Sequence, residues 1–281
     1  EDGIRDRSPS RGLGDVYKRQ DRHLVAFGTE TTIGTTSTQD DMYIRWSDQE
    51  SLTSWTPTAT NTSGTQRLAD GTRIVGALRG RDAIYIWTDT SMFIMRFVGA
   101  PFTFSFQQVG TNCGLIGQNA AVEVDGAAYW MSENGFFRYT GKLDSLACLV
   151  EDYVYDDINT VPRQHIYAGL NNLFGEVTWF YPGSGAASNN RSVTYNYMDS
   201  TPERPVWTTN SLARSTWSDS HIFGKPHATE YDSSATSDST VGNTDGVTTY
   251  FEHETGVNQI KAGASTAIAA SIESGDFDIS M

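Results

Sequence analysis

Short strand-like segments that are apolar on both faces recur along this chain and are separated by tight polar turns. Two segments share one plan, in which a turn joins two apolar strands: DAIYIWTDTSMFIMRF (82–97) and GAAYWMSENGFFRYTG (126–141). A third, FGEVTWFYPGSGAASNNRSVTYNYM (174–198), has a longer loop. Their tryptophans, Trp87, Trp130 and Trp179, are 43 and 49 residues apart, close to the roughly 40–50 residues of one four-stranded propeller blade. The pattern predicts a repeat protein in which these tryptophans are buried on corresponding strands.

The strands and turns of these segments have the residue types of an all-β protein. The strands are rich in β-branched and aromatic residues, and the breaks TDTS (88–91), SENG (132–135) and NN (171–172) contain residues that reverse a chain. We predict an incomplete β-propeller of about four to five recognisable blades, which forms one domain over residues 21–281. The blades are assigned to 65–110, 111–148 and 166–207, with a partly irregular blade at 21–64 and another that begins near residue 211.

One helical connection between blades and two exposed loops within blades are also predicted. In ACLVEDYVYDDIN (147–159), Val150, Val154 and Ile158 are four residues apart, which predicts one or two helical turns. The polar segments 183–191 and 233–246 predict exposed loops, and we expect them to contact partners or solvent.

The first twenty residues have a different origin. SRGLGDVYKRQ (10–20) matches, over its whole length, the translation of a widely used transposon-based sequencing adapter. We therefore interpret residues 1–20 as a non-native, adapter-derived segment, and predict that it is disordered and makes no packed contacts with the rest of the chain.

The charge of the chain argues against nucleic-acid binding. Its formal net charge is −14 at pH 7, and an acidic chain repels phosphate. The sequence shows no basic patch, and we interpret the dispersed arginines as solvated loop residues: Arg79, Arg81, Arg191, Arg204 and Arg214. No apolar run approaches the roughly 18 residues that a membrane-spanning helix requires, so none is predicted.

Motifs for catalysis, cofactors and metals are absent from the sequence. Cys113 and Cys148 have no metal-binding spacing and are interpreted as unpaired buried thiols. The histidines near 227 and 253 lack a second pair at ligand spacing, so we interpret HATEYD (227–232) as an acidic loop and EHE (252–254) as a strand edge. The phosphate-loop, nucleophile-elbow and zinc-protease motifs are missing. We assign no catalytic, cofactor-binding or metal-binding residue, and no cofactor.

Five segments, in this order, carry a family resemblance. They are RWSDQESLTSWTPTATNTSGTQRL (45–68), IWTDTSMFIMRFVGAPFTFSFQ (86–107), GLIGQNAAVEVDGAAYWMSENGFFRYTG (114–141), EVTWFYP with VTYNYM (176–198), and SIESGDFDI (271–279). The chain resembles the tail nozzle or tail hub proteins of short-tailed bacteriophages, some of which are labelled DNA-stabilising tail proteins. Because such proteins usually continue past the last segment, we expect this chain to be a fragment that is truncated at both ends.

The resemblance implies a virion structural protein and not an enzyme. Its copies would form a homo-oligomeric ring at the tail tip, in contact with the portal or adaptor and other tail proteins. Genomic DNA would be retained by the ring and ejected through it without specific binding. The protein would be located in the virion tail after assembly in the cytoplasm of the bacterial host.

Two other classes stay open. A glycan- or protein-binding propeller of the adhesin type would use tyrosine rings for stacking, and the candidates are Tyr153, Tyr155, Tyr181, Tyr195 and Tyr197. The last three alternate within strand patterns, which favours packing between blades. A propeller glycosidase would need a pair of carboxylates or a tyrosine nucleophile. Its candidate acids lie on the predicted helical connection, where acids are usually solvated: Glu151, Asp152, Asp156 and Asp157.

Overall fold

The computed structural model describes residues 17–18, 22–220, 223–232, 247–256, 258–261, 264–268 and 271. Within these residues the chain is nearly all-β, with one α-helix, α1 (Glu151–Asp157), and two short 3₁₀ turns at Thr36–Thr38 and Arg163–His165. The strands form antiparallel sheets of four or three strands and one two-stranded hairpin. Strands that are neighbours in a sheet are also consecutive in sequence, so each sheet is a local meander. The all-β prediction is confirmed.

Sheet 1 contains β1 (Tyr17–Lys18), β2 (Leu24–Phe27), β3 (Tyr43–Trp46) and β4 (Gly64–Arg67). β1 belongs to the segment interpreted as adapter-derived, yet Tyr17 pairs with Val25 and Lys18 pairs with Leu24. The prediction of disorder without contacts is therefore wrong for these two residues. The physical reason is that the edge of β2 offers N–H and C=O groups to any extended segment beside it. The other residues of 1–20 lie outside the described part of the chain.

Sheets 2, 3 and 4 correspond to the units predicted at 65–110, 111–148 and 166–207, and each has four strands. Sheet 2 contains β5 (Ile74–Arg79), β6 (Ile84–Thr88), β7 (Ser91–Gly99) and β8 (Thr103–Thr111). Sheet 3 contains β9 (Ala121–Val124), β10 (Ala127–Ser132), β11 (Gly135–Tyr139) and β12 (Leu143–Leu146). Sheet 4 contains β13 (Tyr167–Asn171), β14 (Glu176–Tyr181), β15 (Arg191–Asn196) and β16 (Trp207–Asn210).

The remaining strands form a smaller sheet and a hairpin. Sheet 5 contains β17 (Thr216–Ser218), β18 (His227–Asp232) and β19 (Val247–Glu252), which matches the unit predicted to begin near residue 211. The hairpin contains β20 (Asn258–Lys261) and β21 (Ala264–Ala267). The loop predicted at 233–246 lies outside the described residues.

Sheet 2 buries side chains on both of its faces. Ile84 and Ile86 of β6 pack into a cluster with Phe27 and Ile44 of sheet 1. The alternate residue Trp87 packs into a second cluster that continues through sheets 3 and 4. Because successive side chains of a strand point to opposite faces, this double burial explains why the strands read as apolar on both faces.

The three tryptophans of the repeat lie on the second strand of sheets 2, 3 and 4, and each is completely buried. Their predicted burial on corresponding strands is confirmed. Their facing directions differ, however. Trp130 lies 5.3 Å from Trp87 between sheets 2 and 3, and Trp179 lies 4.9 Å from Phe136 between sheets 3 and 4. Trp87 thus faces the following sheet, whereas the other two face the preceding sheet.

The sheets share a common direction, which defines two ends. At one end of each sheet, turns join the first strand to the second and the third strand to the fourth; we call this the first-turn end. At the opposite end, a turn joins the second strand to the third; we call this the second-turn end. At the first-turn end, Thr103 of sheet 2 donates to the carbonyl of Thr62 next to sheet 1 (3.0 Å). Also at this end, Asn172 of sheet 4 donates to Asp219 of sheet 5 (2.5 Å). The helix α1 lies at the second-turn end, and Val154 anchors it as predicted.

Candidate functional site

A cavity of about 370 Å³ opens where the first strands of sheets 2, 3 and 4 come together. β9 lies against β5 on one side and β13 on the other, and the amide of Ala168 donates to the carbonyl of Asn119 (2.8 Å). The residues that line the cavity are Ala77, Leu78, Arg79, Trp87, Leu115, Gln118, Asn119, Ala121, Val122, Glu123, Tyr167 and Ala168. Its walls are therefore mainly apolar, with a few polar side chains.

A second cavity of about 270 Å³ adjoins the first and shares Asn119 and Tyr167 with it. The hydroxyl of Tyr167 donates to the carbonyl of Trp217 (2.9 Å), and burial raises the pKa of this phenol. Asn189, which is 6% exposed, donates to the carbonyls of His165 (2.7 Å) and Arg214 (3.0 Å). These bonds fix part of the 183–191 segment, which is consequently less exposed than the predicted loop.

The acids proposed for a glycosidase do not line either cavity. They lie on α1 at the second-turn end, where Asp157 accepts from Arg191 (3.0 Å) and Asp152 and Asp156 are exposed. The carboxylate among the described residues that lines the first cavity is Glu123, and its side chain accepts from the backbone of Gly126 (2.7 Å). In the described part of the chain, the predicted acids therefore do not face one another across either cavity.

Most of the tyrosines proposed for stacking are packing residues. Tyr181 is fully buried, and burial together with Asp157 raises the pKa of its phenol to about 12. The rings of Tyr195 and Tyr197 lie 6.1 and 5.9 Å from that of Tyr129 in the next sheet. The interpretation that these three pack between sheets is confirmed.

The other two candidate tyrosines lie on α1 and differ in exposure. The hydroxyl of Tyr155 donates to the carbonyl of Ser132 (2.6 Å), whereas Tyr153 is exposed. Neither lines a cavity.

The histidines of sheet 5 contact protein side chains. His227 lies 3.8 Å from Glu252, whose carboxylate also accepts from Thr255 (2.6 Å) and pairs with Lys225 (3.2 Å). His253 accepts from Arg214 (3.0 Å), and burial with this nearby cation lowers its pKa to about 4. Across the described parts of the chain, no group of three histidine, cysteine or acidic side chains has the geometry of a metal site.

The interpretation of Arg214 as a solvated loop residue is wrong, whereas Arg79 and Arg81 are exposed as predicted. Arg214 is 4% exposed and lies over the ring of Phe251 (4.0 Å), because a planar guanidinium packs favourably on an aromatic face. Arg79, Arg81 and Arg96 are exposed at the first-turn end of sheet 2. The pairing of Arg79 with Ile84 and of Ile84 with Met95 brings them to the same end of the sheet, where Arg79 and Arg96 start from opposite faces, so this end of sheet 2 carries more positive charge than the sequence spacing suggests.

Both cysteines are free, and Cys113 is buried as predicted. Cys148 is only half-buried. Burial raises the pKa of Cys113 to about 11 and that of Cys148 to about 12, which keeps both thiols protonated at neutral pH. In the described part of the chain, no helix has the length and apolar character needed to cross a membrane.

Comparisons with known proteins give no family assignment. No family model and no curated protein matches the chain. Among solved structures, it is similar to a chain in the S. cerevisiae complex of a Dbp5 variant with Nup159, a Gle1 variant, IP6 and ADP, with 7% identity and a TM-score of 0.41. It is also similar to the extracellular domain of a one-component system from B. thetaiotaomicron, with 10% identity and a TM-score of 0.41.

The alignments cover 91% and 76% of this chain, and 60% and 30% of the two matched chains respectively. The chain thus spans less than two thirds of either.

The cavity residues were missed in the sequence analysis. Gln118 and Asn119 lie within the GLIGQNAAVEVDG part of the family resemblance, which was the one signal available. Leu115, Ala121, Val122 and Glu123 lie in the same segment, whereas the remaining lining residues come from β5, β6 and β13.

Proposed function

We propose that sheets 1 to 5 are successive blades of a β-propeller and that the chain is a structural component of a bacteriophage tail nozzle or hub ring. The copies would assemble into a ring in the virion tail, against the portal or adaptor, and genomic DNA would pass through the ring.

The propeller is supported by the order of the strands. Each of sheets 1 to 4 is a four-stranded meander, and the first strands β5, β9, β13 and β17 are neighbours in succession. In a propeller, the first strands of the blades surround the axis and the sheets stack face to face. The burial of both faces of sheet 2 agrees with such stacking.

The observation that carries the functional proposal is the position of the segments that resemble tail proteins. Residues 86–97 form β6 and β7, residues 126–141 include β10 and β11, and residues 176–198 include β14 and β15. Most of their bulky side chains belong to the buried core, including Trp87, Trp130 and Trp179, whereas Phe102 and Met198 of the same segments are exposed. Such segments build a scaffold, which is what a ring component requires.

The charge supports the same proposal. The net charge of −14 disfavours the binding of duplex DNA to the protein surface. A conduit requires weak binding of this kind, because the DNA must pass through it.

The assembly can be tested on the purified chain by sedimentation velocity and negative-stain electron microscopy. Closed rings of several copies with a central opening are expected. Duplex DNA is expected to bind no better than to a neutral control protein at about 0.15 M salt, where charge interactions extend only about 8 Å.

The alternatives make different predictions in a polysaccharide-hydrolysis assay. Sugar release that is lost in Asp152→Asn or Asp156→Asn would overturn the proposal in favour of a glycosidase. Asp157→Asn is the matched control on the same helix. It removes the ion pair with Arg191, so its expected effect is on stability and not on sugar release. Monomers that bind glycans without hydrolysing them would favour the adhesin-like class.

A further inference from the structure

Exposed apolar side chains are concentrated at the first-turn end of the sheets. Among the described residues, nine of the sixteen exposed large hydrophobic side chains lie at this end, seven of them in turns or connections and two in the last residues of β7. They are Leu52, Phe97, Val98, Phe102, Leu173, Phe174, Met198, Val206 and Phe223. Exposed apolar groups that cluster in this way mark interaction surfaces, whereas single exposed groups are ordinary.

The largest group belongs to the hairpin of β7 and β8 in sheet 2, which we call the sheet 2 tip. Both strands have nine residues, and the last residues of β7 extend beyond the buried part of the sheet. Phe102 is 75% exposed at the turn, and Phe97 and Val98 accompany it. The exposed residues Arg79, Arg81 and Arg96 lie at the same end, and among the described residues of this end of sheet 2 Asp82 is the one exposed carboxylate. The sheet 2 tip is therefore apolar and positively charged.

A second group lies at the same end of sheet 4, which we call the sheet 4 tip. Leu173 and Phe174 belong to the turn between β13 and β14, and Met198 packs beside Gly175 from the connection between β15 and β16. That connection carries the exposed acids Asp199 and Glu203 with one exposed cation, Arg204.

Sheet 5 adds further acids beside the sheet 4 tip. Asp219 contacts Asn172, and Glu254 accepts from Asn171 (3.3 Å). The cation of this end of sheet 5, Lys225, is paired with Glu252. The sheet 4 tip is therefore apolar with a negative surround.

The two tips are complementary and lie on opposite sides of sheet 3. A two-fold axis through the end of sheet 3 would bring the sheet 2 tip of one copy against the sheet 4 tip of another, twice. Such an isologous contact needs a self-complementary surface, and apolar centres with opposite charges provide one. We propose that the first-turn end is an interface between two copies of this chain, which meet face to face.

This inference does not depend on the ring proposal. A ring joins copies side by side, whereas this contact joins two chains, or two rings, end to end. A face-to-face pair without rings would support the inference and overturn the proposed function.

The apolar part is tested by measuring particle mass with sedimentation velocity. Phe102→Ser and Met198→Ser are each expected to halve the mass of the particle formed by the unmodified chain. Val161→Ser is the control, because Val161 is 87% exposed at the opposite end, and its mass is expected to be unchanged. A chain whose particles never contain paired copies at about 100 µM would overturn the inference, since specific pairs commonly have dissociation constants at or below the micromolar range. The inference would also be overturned if Val161→Ser lowered the particle mass as much as Phe102→Ser or Met198→Ser does.

The charged part is tested with two reversed variants, Arg79→Glu with Arg81→Glu, and Asp199→Lys with Glu203→Lys. Each variant alone places like charges in both contacts, and its dissociation constant is expected to rise at least about tenfold. In an equimolar mixture, each contact joins opposite charges again, so paired particles containing one copy of each variant are expected. A mixture in which neither variant pairs would overturn the inference, and the mixture also separates lost pairing from misfolding.

Discussion

Trp87 and Trp130 provide a matched pair of substitutions for measuring one buried hydrogen bond. Both indoles are fully buried at the fourth position of the second strand in adjacent sheets, and their rings are 5.3 Å apart. The indole N–H of Trp130 donates to the carbonyl of Cys113 (2.8 Å). The indole N–H of Trp87 has no partner among the described residues. Substitution by phenylalanine replaces the indole by a smaller phenyl ring and removes the indole N–H group at each site.

The two substitutions should therefore differ mainly by the hydrogen bond. Each leaves a smaller ring in a packed core, which costs roughly 1–3 kcal/mol. Trp130→Phe also leaves the carbonyl of Cys113 without this donor, which costs about 1–3 kcal/mol more. Trp87→Phe removes a donor that is already unsatisfied, so no such loss is added.

Urea unfolding monitored by circular dichroism measures the difference. At equal m-values, the midpoint of Trp130→Phe is expected below that of Trp87→Phe. Equal midpoints, or a lower midpoint for Trp87→Phe, would refute the reasoning that the hydrogen bond separates the two sites.

Three further predictions concern other parts of the chain. Because the pKa of His253 falls from 6.5 to about 4 on folding, the unfolded chain binds more protons in this range, so stability decreases as the pH is lowered from about 6.5 to about 4. His253→Gln should reduce this slope in urea titrations. Tyr155→Phe should cost about 1 kcal/mol, since its hydroxyl donates to a carbonyl of β10, whereas Tyr153→Phe on the same helix should be neutral. Deleting residues 1–20 removes the pairing of β1 with β2 and should lower the melting temperature by roughly 2–4 °C per kcal/mol lost; an unchanged temperature would show that the pairing contributes no stability.

The sequence pattern predicted the strands well because strands, turns and burial are local properties. The short apolar runs at residues 84–87 and 127–131, followed by turns that contain Asp, Asn and Gly, were sufficient to place β6 and β10. The four-residue spacing around Val154 was likewise sufficient for α1.

Which face a side chain occupies depends on register between sheets, and spacing along the chain does not determine it. The equivalent tryptophans at 87 and 130 therefore point toward each other and not in the same direction.

Properties that join distant residues could not be predicted. The cavity is formed by side chains from three first strands, from Trp87 of β6 and from the 112–120 connection, and no pattern along the chain shows that these segments meet. Arg214 was interpreted as a loop residue because a charged side chain is usually solvated. Its burial depends on Phe251 and Glu230, which are remote in sequence and supply a ring face and a carboxylate (3.5 Å).

The net charge of −14 describes the whole chain and conceals the positive end of sheet 2. Exposed arginines such as Arg79 and Arg81 can pair with phosphates, which the passive conduit excludes, or with the acids of a second copy, which the proposed interface requires. Measuring DNA binding and particle mass on the same variant decides between these uses. If Arg79→Glu with Arg81→Glu halves the mass and leaves DNA binding at the level of a neutral control, the arginines serve protein pairing. If the unmodified chain binds duplex DNA at about 0.15 M salt and the variant does not, the positive end is a DNA contact, and the passive conduit is refuted whatever the particle mass.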